Sequence, residues 1–166
     1  MRMTPLAHKR TVLLVEDYPP DRESFRKYLE EGGYHVVTAN DYAAAVAALQ
    51  AAKKPPHIVC ADLTLPRESG YELCEFMRKE PRFLSVPILV MSDRVSPEDM
   101  AYAEQVGANA FLKKPFTRER LLKYVTALLD GANASRPSVR RLKHTDPPPP
   151  PSSASQPQTP PSSRKP

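Results

Sequence analysis

Polar side chains follow four short apolar runs in this sequence of 166 residues. Glu16 and Asp17 follow the first run, Asp62 follows another, and Ser92 and Lys114 follow the last two. Carboxylate oxygens are ligands that Mg²⁺ prefers, and an aspartate can attack phosphorus as a covalent nucleophile. A lysine and a hydroxyl can stabilise the oxygens of a transferring phosphoryl group. If these side chains meet, their types predict a site for phosphoryl transfer.

The apolar runs themselves predict the strands of a parallel sheet. Residues 58–61 show no polar alternation, which indicates a strand buried on both faces. We predict the other strands over residues 11–15, 34–38, 87–91 and 110–112, and helical patterns lie between them. Such alternation predicts an α/β fold with helices on both faces of the sheet and right-handed crossovers.

In a parallel sheet, the residues that follow each strand lie at the same edge, where ligands bind in open α/β folds. Taken alone, Asp62 could equally be a turn-forming residue that closes its strand. Three carboxylates that converge at one edge repel one another, and a divalent cation such as Mg²⁺ removes that difficulty. Their shared position at one edge of the sheet therefore favours a functional interpretation of Glu16, Asp17 and Asp62.

The helix boundaries are marked by residues that are typical of helix ends. Gly32 and Gly33 follow the first helix, and Ser96 precedes a helix that stops near Gly107. Ser69 and Glu72 have the spacing of a capping box. We predict that Thr117 caps the last helix and that Gly131 closes it.

With these motifs in their order and at their intervals, the sequence resembles the receiver domain of two-component response regulators. The resemblance covers about residues 11–130. The motifs that carry it are Val15-Glu16-Asp17, Asp62-Leu-Thr-Leu-Pro66 with Gly70 and Glu72, Val90-Met91-Ser92, and Phe111-Leu-Lys-Lys114-Pro115-Phe116.

The resemblance implies a doubly wound, five-stranded, flavodoxin-like sheet with strand order 2-1-3-4-5. It implies that Asp62 is the phosphoacceptor, and that Mg²⁺ is bound by Glu16, Asp17, Asp62 and the backbone carbonyl of Thr64. Lys114 would contact the phosphoryl group, and its peptide bond to the following proline would be cis.

A second implication of the resemblance is a conformational switch. Ser92 and Phe111 would form the switch pair: the hydroxyl turns toward the new oxygens, and the ring follows inward. The chain departs from the family in three places. The first acidic pair is Glu-Asp, a common variant, Phe111 stands where tyrosine is usual, and Asp93 stands where a small residue is usual. A carboxylate at Asp93 is expected to alter phosphoryl lifetime and donor access.

The resemblance also implies the partners. The phosphoryl donor would be a sensor histidine kinase or a histidine phosphotransfer protein. The output partner would bind the face made by the fourth helix, fifth strand and fifth helix, and a phosphorylation-dependent homodimer stays open. The protein would catalyse its own phosphorylation and dephosphorylation without being an enzyme for an outside substrate.

Composition divides the chain into three parts. Residues 11–130 hold 15 Lys/Arg and 18 Asp/Glu, whereas residues 131–166 hold six Lys/Arg, one acid and half of the 20 prolines. We predict a flexible leader over 1–10, a receiver domain over 11–130 and a disordered, basic Pro/Ser-rich tail over 131–166. Because the basic charge lies at the ends, we do not expect nucleic-acid binding. No run is long enough for a membrane span, and a cytoplasmic, stand-alone receiver is expected.

Two other functions fit parts of the pattern. One is a scaffold that keeps the receiver fold without using phosphate and acts through its face or its proline-rich tail. The other is a phosphatase with an aspartate nucleophile, but such enzymes usually carry a second acid two residues later, where this chain has Thr64. Phosphorylation by a small donor would distinguish these readings from a switch.

Overall fold

The computed structural model describes residues 8–133, which form one five-stranded parallel sheet flanked by helices. A short 3₁₀ helix, Pro81–Phe83, follows the third α-helix. The main elements are, in chain order, β1 (Thr11–Val15), α1 (Pro19–Glu31), β2 (His35–Ala39), α2 (Tyr42–Ala51), β3 (Ile58–Asp62), α3 (Gly70–Lys79), β4 (Ile88–Ser92), α4 (Pro97–Gln105), β5 (Ala110–Lys113) and α5 (Arg118–Asn133).

The strand order is β2-β1-β3-β4-β5, and every neighbouring pair is parallel. Asp62 is paired with Met91, and Ser92 is paired with Lys113, so the ends of β3, β4 and β5 are nearly level. This arrangement confirms the predicted fold class and strand order. It also places the carboxyl ends of all five strands at one edge of the sheet.

The core has two layers because successive strand residues point to opposite faces of the sheet. On β3, Val59 and Ala61 face one layer, and Ile58 and Cys60 face the other. The first layer is closed by buried residues of α2, α3 and α4, and the second by buried residues of α1 and α5. All five residues of β3 are buried, as the absence of polar alternation predicts.

Several predicted boundaries differ from the structure. The second strand is His35–Ala39 rather than 34–38, and the third, fourth and fifth strands each end one residue later than predicted, at Asp62, Ser92 and Lys113. The fourth strand starts at Ile88 rather than at Pro87, which has no N–H to donate although its carbonyl accepts a bond from Val59. The last helix does not end at Gly131 but continues to Asn133. Glycine inside a helix costs only about 1 kcal/mol relative to alanine, so one glycine does not end a helix by itself.

The other predicted helix ends are confirmed. Gly33 has a φ of 91°, a left-handed conformation that glycine adopts readily after α1. The Ser96 hydroxyl accepts a hydrogen bond from the Asp99 amide, and the Thr117 hydroxyl accepts one from the Arg120 amide. The Glu72 carboxylate accepts from the Ser69 amide, as a capping box requires.

Some of the sequence-based predictions fall outside the described residues. These are the first part of the leader, residues 1–7, and the Pro/Ser-rich segment, residues 134–166. Within residues 8–133, no helix is both long and apolar enough to cross a membrane. Cys60 and Cys74 are buried free thiols, as their apolar context predicts, and burial raises the pKa of each to about 12.

Candidate functional site

Three carboxylates meet where β1 and β3 end. Carboxylate oxygens of Glu16, Asp17 and Asp62 lie within 4.8 Å of one another. Glu16 and Asp62 are buried, whereas Asp17 is exposed. The structure therefore brings together the three acidic side chains that the sequence places after these strands, and it leaves the group open to solvent on the side of Asp17.

Backbone contacts fix the position of Glu16. Its amide donates to the carbonyl of Ala39 at 3.0 Å, which extends the pairing of β1 with β2 by one residue. Its Oε1 accepts from the amide of Tyr18 at 3.2 Å. The guanidinium of Arg22 donates to the Glu16 carbonyl at 2.9 Å and to the Asp17 carbonyl at 3.2 Å. The acidic turn is thus attached to the first turn of α1.

Asp62 is held at the end of β3 by the turn that comes after it. Its Oδ1 accepts a hydrogen bond from the amide of Thr64 at 2.6 Å. The amide of Leu63 donates to the Met91 carbonyl at 2.9 Å, and the amide of Gly70 donates to the Leu63 carbonyl at 3.0 Å. The carboxylate is therefore oriented by the chain itself, and its second oxygen, Oδ2, faces Lys114.

Lys114 reaches the carboxylates from the end of β5. Its Nζ lies 2.6 Å from Oε2 of Glu16, in direct contact with Oδ2 of Asp62, and 3.3 Å from Oδ2 of Asp21. The Nζ also lies 5.4 Å from the centre of the Phe25 ring. The Lys114 amide donates to the carbonyl of Ser92 at 2.8 Å, and this backbone bond sets where the side chain begins.

The peptide bond between Lys114 and Pro115 is cis, as the family resemblance implies. The pairing of β4 with β5 ends immediately before this bond, at Ser92 and Lys113. The chain then turns into α5, which begins at Arg118. Lys114 is thus the last residue that the sheet positions before the chain leaves the edge.

The charges in this group shift one another's pKa. Burial raises the pKa of Glu16 from about 4.5 to about 7, and the neighbouring charge of Asp62 adds to this effect, although the hydrogen bond from Lys114 opposes it. Burial lowers the pKa of Lys114, but its hydrogen bonds to Asp62 and Glu16 outweigh that effect and raise the pKa overall. Lys114 is therefore a cation, and Glu16 gives up its proton with difficulty.

The same residues fit a divalent cation. Three carboxylates offer hard oxygen ligands within reach of one ion, and one of them is exposed, so that water or a substrate oxygen can complete the coordination. A single ammonium offsets only part of the negative charge of the group. Burial raises the pKa of Glu16, and the charge of Asp62 adds to that shift, so a bound cation would favour the ionised carboxylate.

Ser92 and Phe111, the predicted switch residues, lie on the adjacent strands β4 and β5. Ser92 is buried, and its Oγ accepts a hydrogen bond from the amide of Arg94 at 3.0 Å. Phe111 is half-buried, pairs in register with Val90, and packs against the layer that α2, α3 and α4 cover. Ser92 is therefore the last residue of β4, and Phe111 is a half-buried residue of the neighbouring strand β5.

Sequence reasoning missed two of the contacts that surround Lys114. In the sequence, Asp21 is an acidic residue near the start of a helix, and Phe25 is an apolar residue at helical spacing. Each lies about 90 residues from Lys114 along the chain, so neither contact has a local signal. The separate cleft of about 240 Å³ at the opposite edge of the sheet, which Arg10, His57 and Arg82 help to line, contains none of the predicted site residues.

Known proteins match this chain over the residues that build the site. A family model described as the response regulator receiver domain matches residues 12–126. Response regulator Rre1 of Synechocystis sp. is 34% identical over 131 residues, which cover 78% of this chain and 56% of Rre1. Protein PilG of Pseudomonas aeruginosa is 31% identical over 116 residues, which cover 70% of this chain and 84% of PilG.

A solved structure gives the same picture. The chemotaxis response regulator CheY4 of Vibrio cholerae superposes with a TM-score of 0.68 at 32% identity, over 72% of this chain and 98% of that one. Several curated relatives are longer proteins. The matched part amounts to 51% of a probable transcriptional regulatory protein of Picosynechococcus sp. and 52% of PhoB of Klebsiella pneumoniae. The chain thus spans about half the length of these relatives.

Proposed function

This chain belongs to the response regulator receiver domains of two-component systems, which are signalling switches and not classical enzymes, and on that premise we propose that Asp62 is its phosphoacceptor. The observation that carries the proposal is the position of Lys114. Its ammonium contacts Asp62 and Glu16 at the point where the three carboxylates meet. A nucleophile, a counter-charge and a set of hard ligands therefore share one place.

The proposed reaction is transfer of a phosphoryl group from a phosphohistidine to Asp62. A carboxylate oxygen of Asp62 attacks phosphorus, the new P–O bond forms, and the P–N bond to the imidazole breaks. The imidazole leaves with the electron pair of that bond and takes up a proton. Lys114 contacts a phosphoryl oxygen, and Ser92 donates its hydroxyl to another, so that both stabilise the negative charge of the group.

We propose that Glu16, Asp17, Asp62 and the backbone carbonyl of Thr64 hold Mg²⁺. When bound, Mg²⁺ would neutralise charge on the carboxylates and on the phosphoryl oxygens. The support for this proposal is the 4.8 Å grouping of the three carboxylates and the raised pKa of Glu16. Thr64 already directs its amide to Asp62, so its carbonyl belongs to the same turn.

The signal would reach a partner through Ser92 and Phe111. In this proposal the Ser92 hydroxyl leaves the Arg94 amide for a phosphoryl oxygen, and the Phe111 ring moves into the space behind it. The face made by α4, β5 and α5 then changes its affinity for an output protein, which is a shift in population between two packings. A sensor histidine kinase or a histidine phosphotransfer protein would supply the phosphoryl group, and the receiver domain would span about residues 11–130.

The proposal is tested by phosphorylation with acetyl phosphate and Mg²⁺, followed by intact-mass measurement. We expect the wild-type protein to gain one phosphoryl group and the Asp62→Asn variant to gain none. Asp130→Asn is a matched control because Asp130 is 68% exposed and pairs with Arg10 rather than with Lys114. A gain that persists in Asp62→Asn, or no gain in the wild-type protein, would contradict the proposal.

The scaffold alternative receives no support from the structure. Asp62, Lys114 and Ser92, which a phosphate-independent scaffold does not need, lie at the carboxyl ends of neighbouring strands. A protein that binds partners without phosphate would show the same affinity for them before and after incubation with acetyl phosphate.

A further inference from the structure

The Lys114 ammonium has three carboxylate neighbours, and one of them is not part of the expected phosphorylation site. An ammonium has three N–H donors, so Glu16, Asp62 and Asp21 provide one acceptor for each. The Lys114 side chain is only 13% exposed, and the Asp21 side chain is 38% exposed. Asp21 therefore supplies the third hydrogen-bond acceptor of the ammonium, on the side that faces solvent.

Asp21 differs from the other two acceptors in its relation to the carboxylate group. Glu16 and Asp62 belong to the set of three whose oxygens lie within 4.8 Å of one another, together with Asp17. Asp21 stands outside this set, on the first turn of α1. A cation held by the three carboxylates would draw on Glu16 and Asp62, which the ammonium also contacts, but it would leave Asp21 to Lys114 alone.

The position of Asp21 is set by its backbone. Two prolines begin α1, and Asp21 follows them within the first turn. The neighbouring Arg22 donates to the carbonyls of Glu16 and Asp17, which attaches this turn to the end of β1. An exposed ion pair between two mobile side chains usually contributes little. Here the lysine is nearly buried and the turn that carries the carboxylate is tied to the site.

We propose that Asp21 is a positioning residue that keeps the Lys114 ammonium in the site when Glu16 and Asp62 turn their oxygens toward a divalent cation. This inference rests on the proposed function. The ammonium and the cation are both positive and both draw on the carboxylates of Glu16 and Asp62. Asp21 gives the ammonium a partner that it does not have to share, so Lys114 can loosen its contacts with these two carboxylates and still face Asp62.

The role of Asp21 is tested by measuring the binding of Mg²⁺ alone, with no phosphodonor present. The dissociation constant is obtained from NMR titration of the isotope-labelled protein with MgCl₂. We expect Asp21→Asn to weaken Mg²⁺ binding by roughly fivefold, because the ammonium then competes for Glu16 and Asp62 and one negative charge is lost. Asp21→Glu keeps the charge and is expected to restore most of the affinity.

Two control variants separate a contact with Lys114 from a general effect of charge. Asp130→Asn removes the same charge from a residue that pairs with Arg10, and we expect a change of less than about twofold. Asp93→Asn removes an exposed carboxylate that follows Ser92 at the same sheet edge. If Asp93→Asn weakens Mg²⁺ binding as much as Asp21→Asn does, the effect is general charge and the proposed role of Asp21 is overturned.

The remaining outcomes distinguish this inference from the proposed function. If the wild-type protein binds Mg²⁺ and Asp21→Asn binds it equally well, the role of Asp21 is wrong and the proposed function stands. If the wild-type protein does not bind Mg²⁺ at all, the proposed function itself fails. Thermal unfolding of each metal-free variant shows whether it is folded, and we expect Asp21→Asn to remain so because its side chain is partly exposed.

Discussion

Gly70 lies so close to Asp62 that the backbone of one residue leaves no space for a side chain on the other. A Cβ atom at Gly70 would collide with the carbonyl oxygen of Asp62 and crowd its carbonyl carbon at 3.1 Å. The first residue of α3 is thus packed directly against the end of β3. Glycine is required at this position because of this close approach. The contact lies next to the turn that orients the Asp62 carboxylate.

The first prediction concerns Gly70→Ala. The added methyl group meets backbone atoms, which cannot rotate away as a flexible side chain can, so Asp62 or the start of α3 must shift. We expect a loss of about 2 kcal/mol in the free energy of unfolding, measured by urea denaturation. We also expect slower phosphorylation of Asp62 by acetyl phosphate, because the displaced carboxylate is no longer aligned with Lys114.

Gly131→Ala is the matched control for that variant. Gly131 lies inside α5, and a Cβ atom there meets nothing within 4 Å among the described residues. We expect this substitution to stabilise the protein by about 0.5–1 kcal/mol, because alanine loses less backbone entropy in a helix. Equal effects of the two substitutions would show that the close approach of Gly70 to Asp62 does not matter.

The second prediction concerns Arg78, which joins α3 to two loops. Its Nε donates to the carbonyl of Gly107, its Nη1 to the carbonyls of Phe83 and Val86, and its Nη2 to Oδ1 of Asn109, all at 2.9–3.0 Å. Lysine cannot reach these acceptors together because it has one nitrogen. We expect Arg78→Lys to lower the free energy of unfolding by about 2–3 kcal/mol, since it leaves carbonyls without partners.

Arg118→Lys provides the comparison for Arg78→Lys. Arg118 pairs with Glu31 and Glu119 at the surface, and its side chain is 47% exposed. We expect its replacement to change the free energy of unfolding much less than Arg78→Lys does, because exposed ion pairs contribute little. If Arg78→Lys costs no more than this surface substitution, the set of carbonyl contacts does not stabilise the fold as argued.

The third prediction concerns the pH dependence of stability in the metal-free protein. Burial raises the pKa of Glu16 to about 7 in the folded state, whereas an unfolded glutamate titrates near 4.5. Between these two values the folded state binds more protons than the unfolded state. The contribution of Glu16 to stability is therefore complete below pH 4.5 and is lost as the pH rises through 7.

Urea denaturation in the presence of EDTA at pH 5, 6, 7 and 8 tests this sign. We expect Glu16→Gln to gain in stability relative to the wild-type protein as the pH rises across this range. The comparison isolates Glu16 because other titrating groups act on both proteins. Parallel curves for the two proteins would contradict the raised pKa.

The fourth prediction concerns coupling between Ser92 and Phe111. With phosphorylated wild-type protein we expect changes in the NMR signals of the Phe111 ring, because the proposed switch moves the Ser92 hydroxyl away from the Arg94 amide that now donates to it. Ser92→Ala has no hydroxyl to move, so it should accept the phosphoryl group and yet show much smaller changes at Phe111. Ser92→Thr keeps a hydroxyl and serves as the control. Equal changes at Phe111 in the Ser92→Ala variant would show that Phe111 does not respond through Ser92.

Much of the fold can be deduced from local patterns in the sequence. Apolar runs in the sequence indicate the five strands and the burial of β3, and capping residues mark the helix starts at Ser96 and Thr117. The structure agrees with these features. The convergence of Glu16, Asp17 and Asp62 is expected because parallel strands end at one edge. These features could be predicted because each depends on neighbouring residues or on the geometry of the sheet.

The contacts that could not be predicted join distant side chains or depend on unmarked backbone. Arg78 resembles an ordinary charge at the end of α3, and its acceptors are mostly loop carbonyls, which leave no trace in side-chain pattern. Asp21 resembles a residue placed for the helix dipole, and only the folded chain brings it to Lys114. Gly131 resembles a helix end, but α5 continues through it to Asn133.

The unit formed by β2 and α2 carries none of the residues of the candidate site. The carboxylates, the hydroxyl and the lysine come from the ends of four neighbouring strands, β1, β3, β4 and β5. The remaining strand, β2, is the outermost strand beside β1 and is largely exposed. Exposed positions of this unit, such as Val37, can therefore be substituted with little effect on the candidate site. It is also a place where an engineer could attach a fluorescent reporter without touching the residues of the candidate site.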